Sequence, residues 1–273
     1  MQQWKNVLVH ADASVDRRGA IQQAFEIAEA CEGRLTLFES ISTGYVDGHP
    51  DSTRALLKYA ARTSADLIVG TASRTDIREL TPRGASALQL LRSSPVPVWL
   101  CAPAAVRAAR VVAAVDLSTI GADSRKLNEE VALAAARLSL IHHAELHVVC
   151  VADAARDRIF RSIMRPAQYS RHLAQHRAEL RAALDELVTR IGARPIAHLI
   201  EGDAVEALDR LLVDLRADML VLGRDNSNPQ GVLRSDLAEQ LLCRADRSLL
   251  LVHSTRAPAR VDQSVETRSG ARV

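Results

Sequence analysis

The chain has 273 residues, 48% apolar and 25% charged, an ordinary globular composition with enough length for two modest domains, each burying its own core. The 35 basic residues against 33 acidic ones leave a formal charge of +2, which gives no nucleic-acid footprint, and an aromatic share of 3% leaves no stacking platform for single strands. No apolar run approaches the length of a membrane span.

The start, "MQQWKNVLVHAD", lacks the basic segment and apolar stretch of a secretory signal, so a cytoplasmic location is expected. "KNVLVHADAS" reads as a short apolar strand running into Asp12 and Ser14, and "GAIQQAFEIAEACEG" as the helix behind it. "LTLFESI" is a second strand, "DSTRALLKYAART" a helix, "ADLIVG" a third strand and "PVPVWLC" a closing one. A Pro/Ala connector, "APAAVRAAR", then separates this half from a second with the same plan.

In the second half, strands are expected near 110–116, 145–151, 196–200, 218–222 and 248–252, with helices near 122–141, 168–191, 203–216 and 235–245. Gly192 suits a helix C-terminus and Asp203 an N-cap. His142 and His143 close a helix, where an imidazolium suits the C-terminal dipole. Continuous Val/Ile/Leu runs without polar alternation indicate strands covered on both faces, hence parallel sheets between helices. The fold expected is α/β: two tandem Rossmann-like domains, 1–104 and 108–255, each a mostly parallel sheet with flanking helices. The first is reduced by about one strand–helix unit, and residues 256–273 form a disordered tail.

The two Asp-x-Ser strand exits, the "ADLIVG" and "ADMLVLG" strands, the helix "LAEQLLCRAD" and the closing apolar strands together resemble universal stress proteins. The duplication and "ALQLLRSSPVPVWLCAP" resemble the tandem, UspE-like branch. In the nucleotide-binding members, a loop of Gly, two residues, Gly, nine residues, Gly and Ser or Thr wraps the ATP phosphates, glycines letting backbone N–H groups approach. The resemblance implies pocket positions at Asp116, Ser118 and Gly223. Asn226 stands at the second glycine, Ser235 at the third and Asp236 at the hydroxyl. In the first half the matching positions are Asp12, Gly70 and Gly84, with Ser73 at the middle glycine and Ala85 at the hydroxyl.

A carboxylate at the hydroxyl position removes a donor and repels phosphate, by about 4 kcal/mol at roughly 4 Å before screening. Arg224 and Arg234 oppose this in part. Asp12 and Asp116 suit either an adenine contact or a local cap. The expectation is a non-enzymatic stress-response module with degraded loops and no cofactor, acting through a protein partner or a small ligand. The alternative is an ATP or adenylate sensor using Asp116 and the Gly223 loop. No nucleophile with its base, and no paired-carboxylate site, is present in the motifs.

The four cysteines are scattered and read as apolar fillers, and His172 and His176 as a solvated helical face rather than a metal site. "RDRIFRSIMRPAQYSRHLAQHR" reads as a solvated connector, with a lid, an apolar ligand pocket or an acidic-partner surface as alternatives. The resemblance further implies association through the closing strands. The two halves then form an intramolecular pseudo-dimer centred on Val96, Val98, Trp99, Leu249 and Leu251, and two chains form a homodimer.

Overall fold

The computed structural model describes residues 4–11, 17–39, 50–72, 74–102, 108–119, 121–153, 163–224, 235–244 and 247–253. The connector at 103–107, residues 156–162 of the arginine-rich segment and the expected tail lie outside them.

The first half runs β1 (Asn6–Ala11), α1 (Arg17–Ala30), β2 (Arg34–Glu39), α2 (Pro50–Arg62), β3 (Leu67–Thr71), α3 (Arg74–Arg78), α4 (Pro82–Ser93) and β4 (Val98–Cys101). The second runs β5 (Arg110–Val115), α5 (Ala122–His142), β6 (Glu145–Asp153), α6 (Pro166–Ile191), β7 (Ile196–Gly202), α7 (Ala204–Asp214), β8 (Met219–Arg224), α8 (Ser235–Leu242) and β9 (Ser248–His253). The local signals act as chemistry requires. Asp203 accepts from the Val205 and Glu206 N–H groups to start α7, and Gly192 ends α6 at φ 70°, a left-handed conformation that glycine adopts freely.

Among the described residues, nine strands form one sheet in the order β2-β1-β3-β4-β9-β8-β5-β6-β7. Every pairing is parallel except that of β4 with β9, which is antiparallel and joins the halves: Val98 faces Leu251, Trp99 faces Leu250 and Leu100 faces Leu249. Outward from this seam the halves repeat one order, and the first stops a strand short. Val98, Trp99, Leu249 and Leu251 are buried, and half-buried Val96 packs beside them.

The inner strands of the sheet are covered on both faces. Val7, Val9, Trp99, Val111, Val221 and Leu250 point to one side, beneath α1, α5 and α6. Leu8, Ile68, Val98, Val112, Leu220 and Leu249 point to the other, beneath α2, α4, α7 and α8. Alternate residues of the inner strands thus enter different cores, which is why those strands read as unbroken apolar runs. His142 corrects the sequence expectation: it is 4% exposed and meets the Trp99 ring edge-on, with centroids 6.1 Å apart, so α5 ends on a buried imidazole and only exposed His143 faces water.

Candidate functional site

Parallel strands place their exits at one edge, where α/β folds form ligand sites. In the second half Asp116 leaves β5 and its carboxylate turns back on its own loop. Oδ1 accepts from the Ser118 N–H at 3.0 Å and the Ser118 hydroxyl at 2.5 Å, and Oδ2 accepts from the Thr119 hydroxyl at 3.0 Å. The Asp116 main chain is clamped by Asn128 of α5, whose Oδ1 accepts from the Asp116 N–H at 3.0 Å while its Nδ2 donates to the Asp116 carbonyl at 2.6 Å. Strand exit and helix are therefore fixed to each other by protein groups.

Gly223, near the end of β8, has a packing reason for lacking a side chain. A Cβ there would come 2.9 Å from Leu127 Cγ and from Val131 Cγ2, both on α5. Arg224 donates from a guanidinium N–H to the Leu91 carbonyl in the first half. Burial lowers its pKa, while Glu239 acts the other way. Its neighbour across the ladder, His253, is buried with neither ring nitrogen hydrogen-bonded among the described residues, and burial, with Arg224 beside it, lowers its pKa to about 4. Asn226 lies outside the described residues. Ser235 and Asp236 open α8, and their side chains are not among those described.

In the first half Asp12 lies outside the described residues. Gly70 has room for a methyl, since a Cβ would meet only Leu100 Cδ2 at 3.6 Å. Gly84 has none: its Cβ would sit 2.0 Å from the Asp76 carbonyl oxygen, so glycine is what lets α4 begin against α3. The N-terminus of α4 carries its own cap, with the Gly84 N–H donating to Thr81 Oγ1 at 3.3 Å and the Thr81 hydroxyl donating to Asp76 Oδ1 at 2.7 Å. The adjacent hydroxyl, Ser86, is buried within the core side of α4.

A model of the universal stress protein family matches residues 109–253, more than half of the chain. The chain belongs to the universal stress protein family. Among solved structures, this stress protein resembles a functionally unknown protein of Pseudomonas aeruginosa PAO1 (TM-score 0.68, 19% identity, 92% of each chain covered). It also resembles a universal stress protein from Archaeoglobus fulgidus DSM 4304 (TM-score 0.58, 15% identity, covering 92% of this chain and 97% of that one). These likenesses concern the fold. No curated protein matches.

Among the described residues outside the strand exits, this stress protein holds little reactive chemistry. The Cys150 thiol is pushed up to about 11 by burial, with Asp116 adding to the effect, and burial raises Cys101 further still. His172 and His176 lie on one face of α6 with their rings parallel, centroids 6.4 Å apart. Among the described residues no group of three His, Cys, Asp or Glu is placed to hold a metal ion, and no helix is long and apolar enough to cross a membrane.

Sequence reasoning missed Asn128, Thr119 and Thr81. Thr81 had a signal, since Thr-Pro is a cap followed by the residue best suited to a first helical position. Asn128 had none, because its role depends on α5 crossing the end of β5.

Proposed function

We propose that this universal stress protein is a non-enzymatic, cytoplasmic stress-response module that works through a protein partner or a small ligand and no longer takes ATP at its strand exits. The observation that carries the reading is the Asp116 carboxylate, whose oxygens already accept from Ser118 and Thr119. An adenine amino group would have to share those oxygens with Ser118 and Thr119. Gly223 and Gly84 support the same reading, because helix packing accounts for both without a phosphate.

Calorimetric titration with ATP, ADP and AMP, with and without magnesium, tests it. The expected result is no saturable heat from any of the three. Tight, magnesium-dependent ATP binding would overturn it in favour of a nucleotide sensor using Asp116 and the Gly223 loop. Turnover of ATP above a buffer blank would make the protein an enzyme.

A further inference from the structure

The two halves share a helix–strand turn, hydrogen bond for hydrogen bond. After α1 the Glu32 N–H donates to the Glu29 carbonyl, the Gly33 N–H to that of Ala28 and the Arg34 N–H to that of Lys5. After α5 the His143 N–H donates to the Leu140 carbonyl, the Ala144 N–H to that of Ser139 and the Glu145 N–H to that of Ala109. Glu32 and His143 both take the left-handed conformation, at φ 49° and 55°. This register sets Phe25 of α1 level with Ala136 of α5, and Leu35 and Leu37 of β2 level with Leu146 and Val148 of β6.

The equivalent positions differ in what covers them. Ala136 and Val148 are 6% and 0% exposed, in one core with Leu146 and with Leu180, Leu184 and Leu187 of α6. Phe25 and Leu37 are 55% and 46% exposed, and Leu35 between them is half-buried. Among the described residues the first half has no counterpart of α6 or of β7. It keeps the face on which a helix lies and lacks the helix. Single exposed apolar residues are ordinary on a protein surface, whereas these coincide with the positions that the other half buries.

Charge selects the occupant. Glu29 and Glu32 follow Phe25 by four and seven residues, so they border the same flank of α1, and Glu39 points to the same side of β2 as Leu35 and Leu37. All three are exposed, and none forms an ion pair with a described residue. Of the nearby cations, Lys5 is committed to the Cys31 carbonyl at 2.7 Å, Arg34 alternates to the other face of the sheet, and Arg18 stands alone at the start of α1. A second copy docked by the same face would set this acidic rim against its twin. A helix with basic flanks meets it favourably. In the second half Arg190, near the end of α6, reaches Glu129 of α5 at 3.7 Å, and Glu129 is level with Arg18. A helix laid in that direction turns its C-terminal end to Arg18 and its N-terminal end to Glu32, which suits its macrodipole at both ends.

We propose that the α1–β2 edge of the first half is a docking groove for a basic amphipathic helix of a partner protein, seated where the second half seats its own α6. Phe25, Leu35 and Leu37 receive the apolar stripe, and Glu29, Glu32 and Glu39 the basic flanks. The assignment rests on the reading of the protein as a module that acts through a partner. It uses no residue of the strand exits, so ATP binding there would overturn the loss of nucleotide affinity and leave the groove standing, while a failure of helix binding would leave the ATP result untouched.

The test uses the full chain and two synthetic peptides built on residues 166–191. The basic probe carries Glu179→Lys, Asp185→Lys and Glu186→Lys, which keeps the leucine stripe of α6 and removes its acids. The acidic control keeps the stripe and carries Arg171→Glu, Arg177→Glu, Arg181→Glu and Arg190→Glu. In fluorescence anisotropy the basic peptide is expected to bind saturably below about 100 μM, with the acidic one about tenfold weaker or more and the difference shrinking in salt. Leu37→Lys and Phe25→Ser change exposed side chains and should each weaken the basic peptide about tenfold or more while the protein still melts cooperatively. Glu29→Lys combined with Glu32→Lys leaves the apolar face intact and should reverse the preference towards the acidic peptide. No saturable binding, equal binding of the two peptides, or binding unmoved by Leu37→Lys would each overturn the proposal. So would a dimer in sedimentation that Leu37→Lys dissolves, which would assign the face to a second copy.

Discussion

Arg92 and Glu239 form a two-pronged ion pair across the seam, Nε to Oε1 at 2.6 Å and a terminal guanidinium nitrogen to Oε2 at 2.5 Å, tying α4 of the first half to α8 of the second. This bidentate geometry is the strongest form of the contact, and it raises the Arg92 pKa. The Arg92 side chain is 60% exposed, however, so solvent screening limits its value. A double-mutant cycle with Arg92→Ala and Glu239→Ala should give a coupling of about 0.5–1 kcal/mol, shrinking with added salt. A coupling of zero in chemical denaturation would mean that the β4–β9 pairing and the remaining cross-seam bonds, such as that from Arg224 to the Leu91 carbonyl, set the junction.

The glycines give a graded series. Gly84→Ala drives a Cβ into a backbone carbonyl, which cannot swing aside, and should destabilise most, by about 2–4 kcal/mol or by loss of folding. Gly223→Ala meets only the side chains of Leu127 and Val131 and should cost about 1–3 kcal/mol. Gly70→Ala, with ordinary contact distances, should stay within about 1 kcal/mol of wild type. Urea denaturation checks the order, and a reversed order would show that the glycines are kept for something other than helix packing.

Removing the Asp116 carboxylate should loosen the strand exit. Asp116→Ala takes the acceptor from Ser118 and Thr119 and should cost about 1–2 kcal/mol. Hydrogen exchange should quicken at Ser118 while the Asn128 bonds hold the Asp116 backbone in place. Unchanged stability together with altered nucleotide affinity would indicate a ligand-facing role instead.

Acid should weaken the fold through His253. Its native pKa, about 4, lies below the ordinary 6.5, so in the window between those values the unfolded chain binds more protons. Stability therefore falls as pH drops from about 6.5 to about 4, by roughly 3 kcal/mol for this group. Burial and nearby His147 lower the His198 pKa, which adds in the same direction. His253→Phe should flatten the profile of denaturation midpoint against pH, and an unaltered slope would assign the acid sensitivity elsewhere.

Expressing the halves separately tests their interdependence. Residues 108–255 should fold, and β9, deprived of β4, should pair with a second copy through Leu249 and Leu251. Residues 1–104, with one strand fewer and a seam edge uncovered, should aggregate. Sedimentation of both fragments reads the result, and a stable monomer from either would argue against mutual dependence.

The strands were legible because a doubly covered strand has no polar alternation: Val111 to Val115 are buried without exception. The caps Asp203 and Gly192 were legible because their chemistry is local. Other features were not. α3 carries no sequence signal, since five residues show no helical period, yet it forms and receives the Thr81 hydroxyl on Asp76. The sequence shows that Asp116 follows a strand, while the choice between holding a ligand and holding its own loop depends on rotamers and on a helix crossing twelve residues further on. The uncovered face at Phe25 and Leu37 required the shared register of the two halves, since an apolar residue bears no local mark of being exposed.

Covalent fusion also releases the protein from a rule that binds every homodimer. In a twofold assembly of identical chains each substitution is made twice, so a strand cannot be shed on one side only, and a contact at the axis must be compatible with its own mirror position. Here Trp99 faces Leu250 across the seam, an unlike pair at matching places in the two closing strands. The four-stranded half can specialise while the five-stranded half supplies stability, and a mutation in one leaves its counterpart untouched.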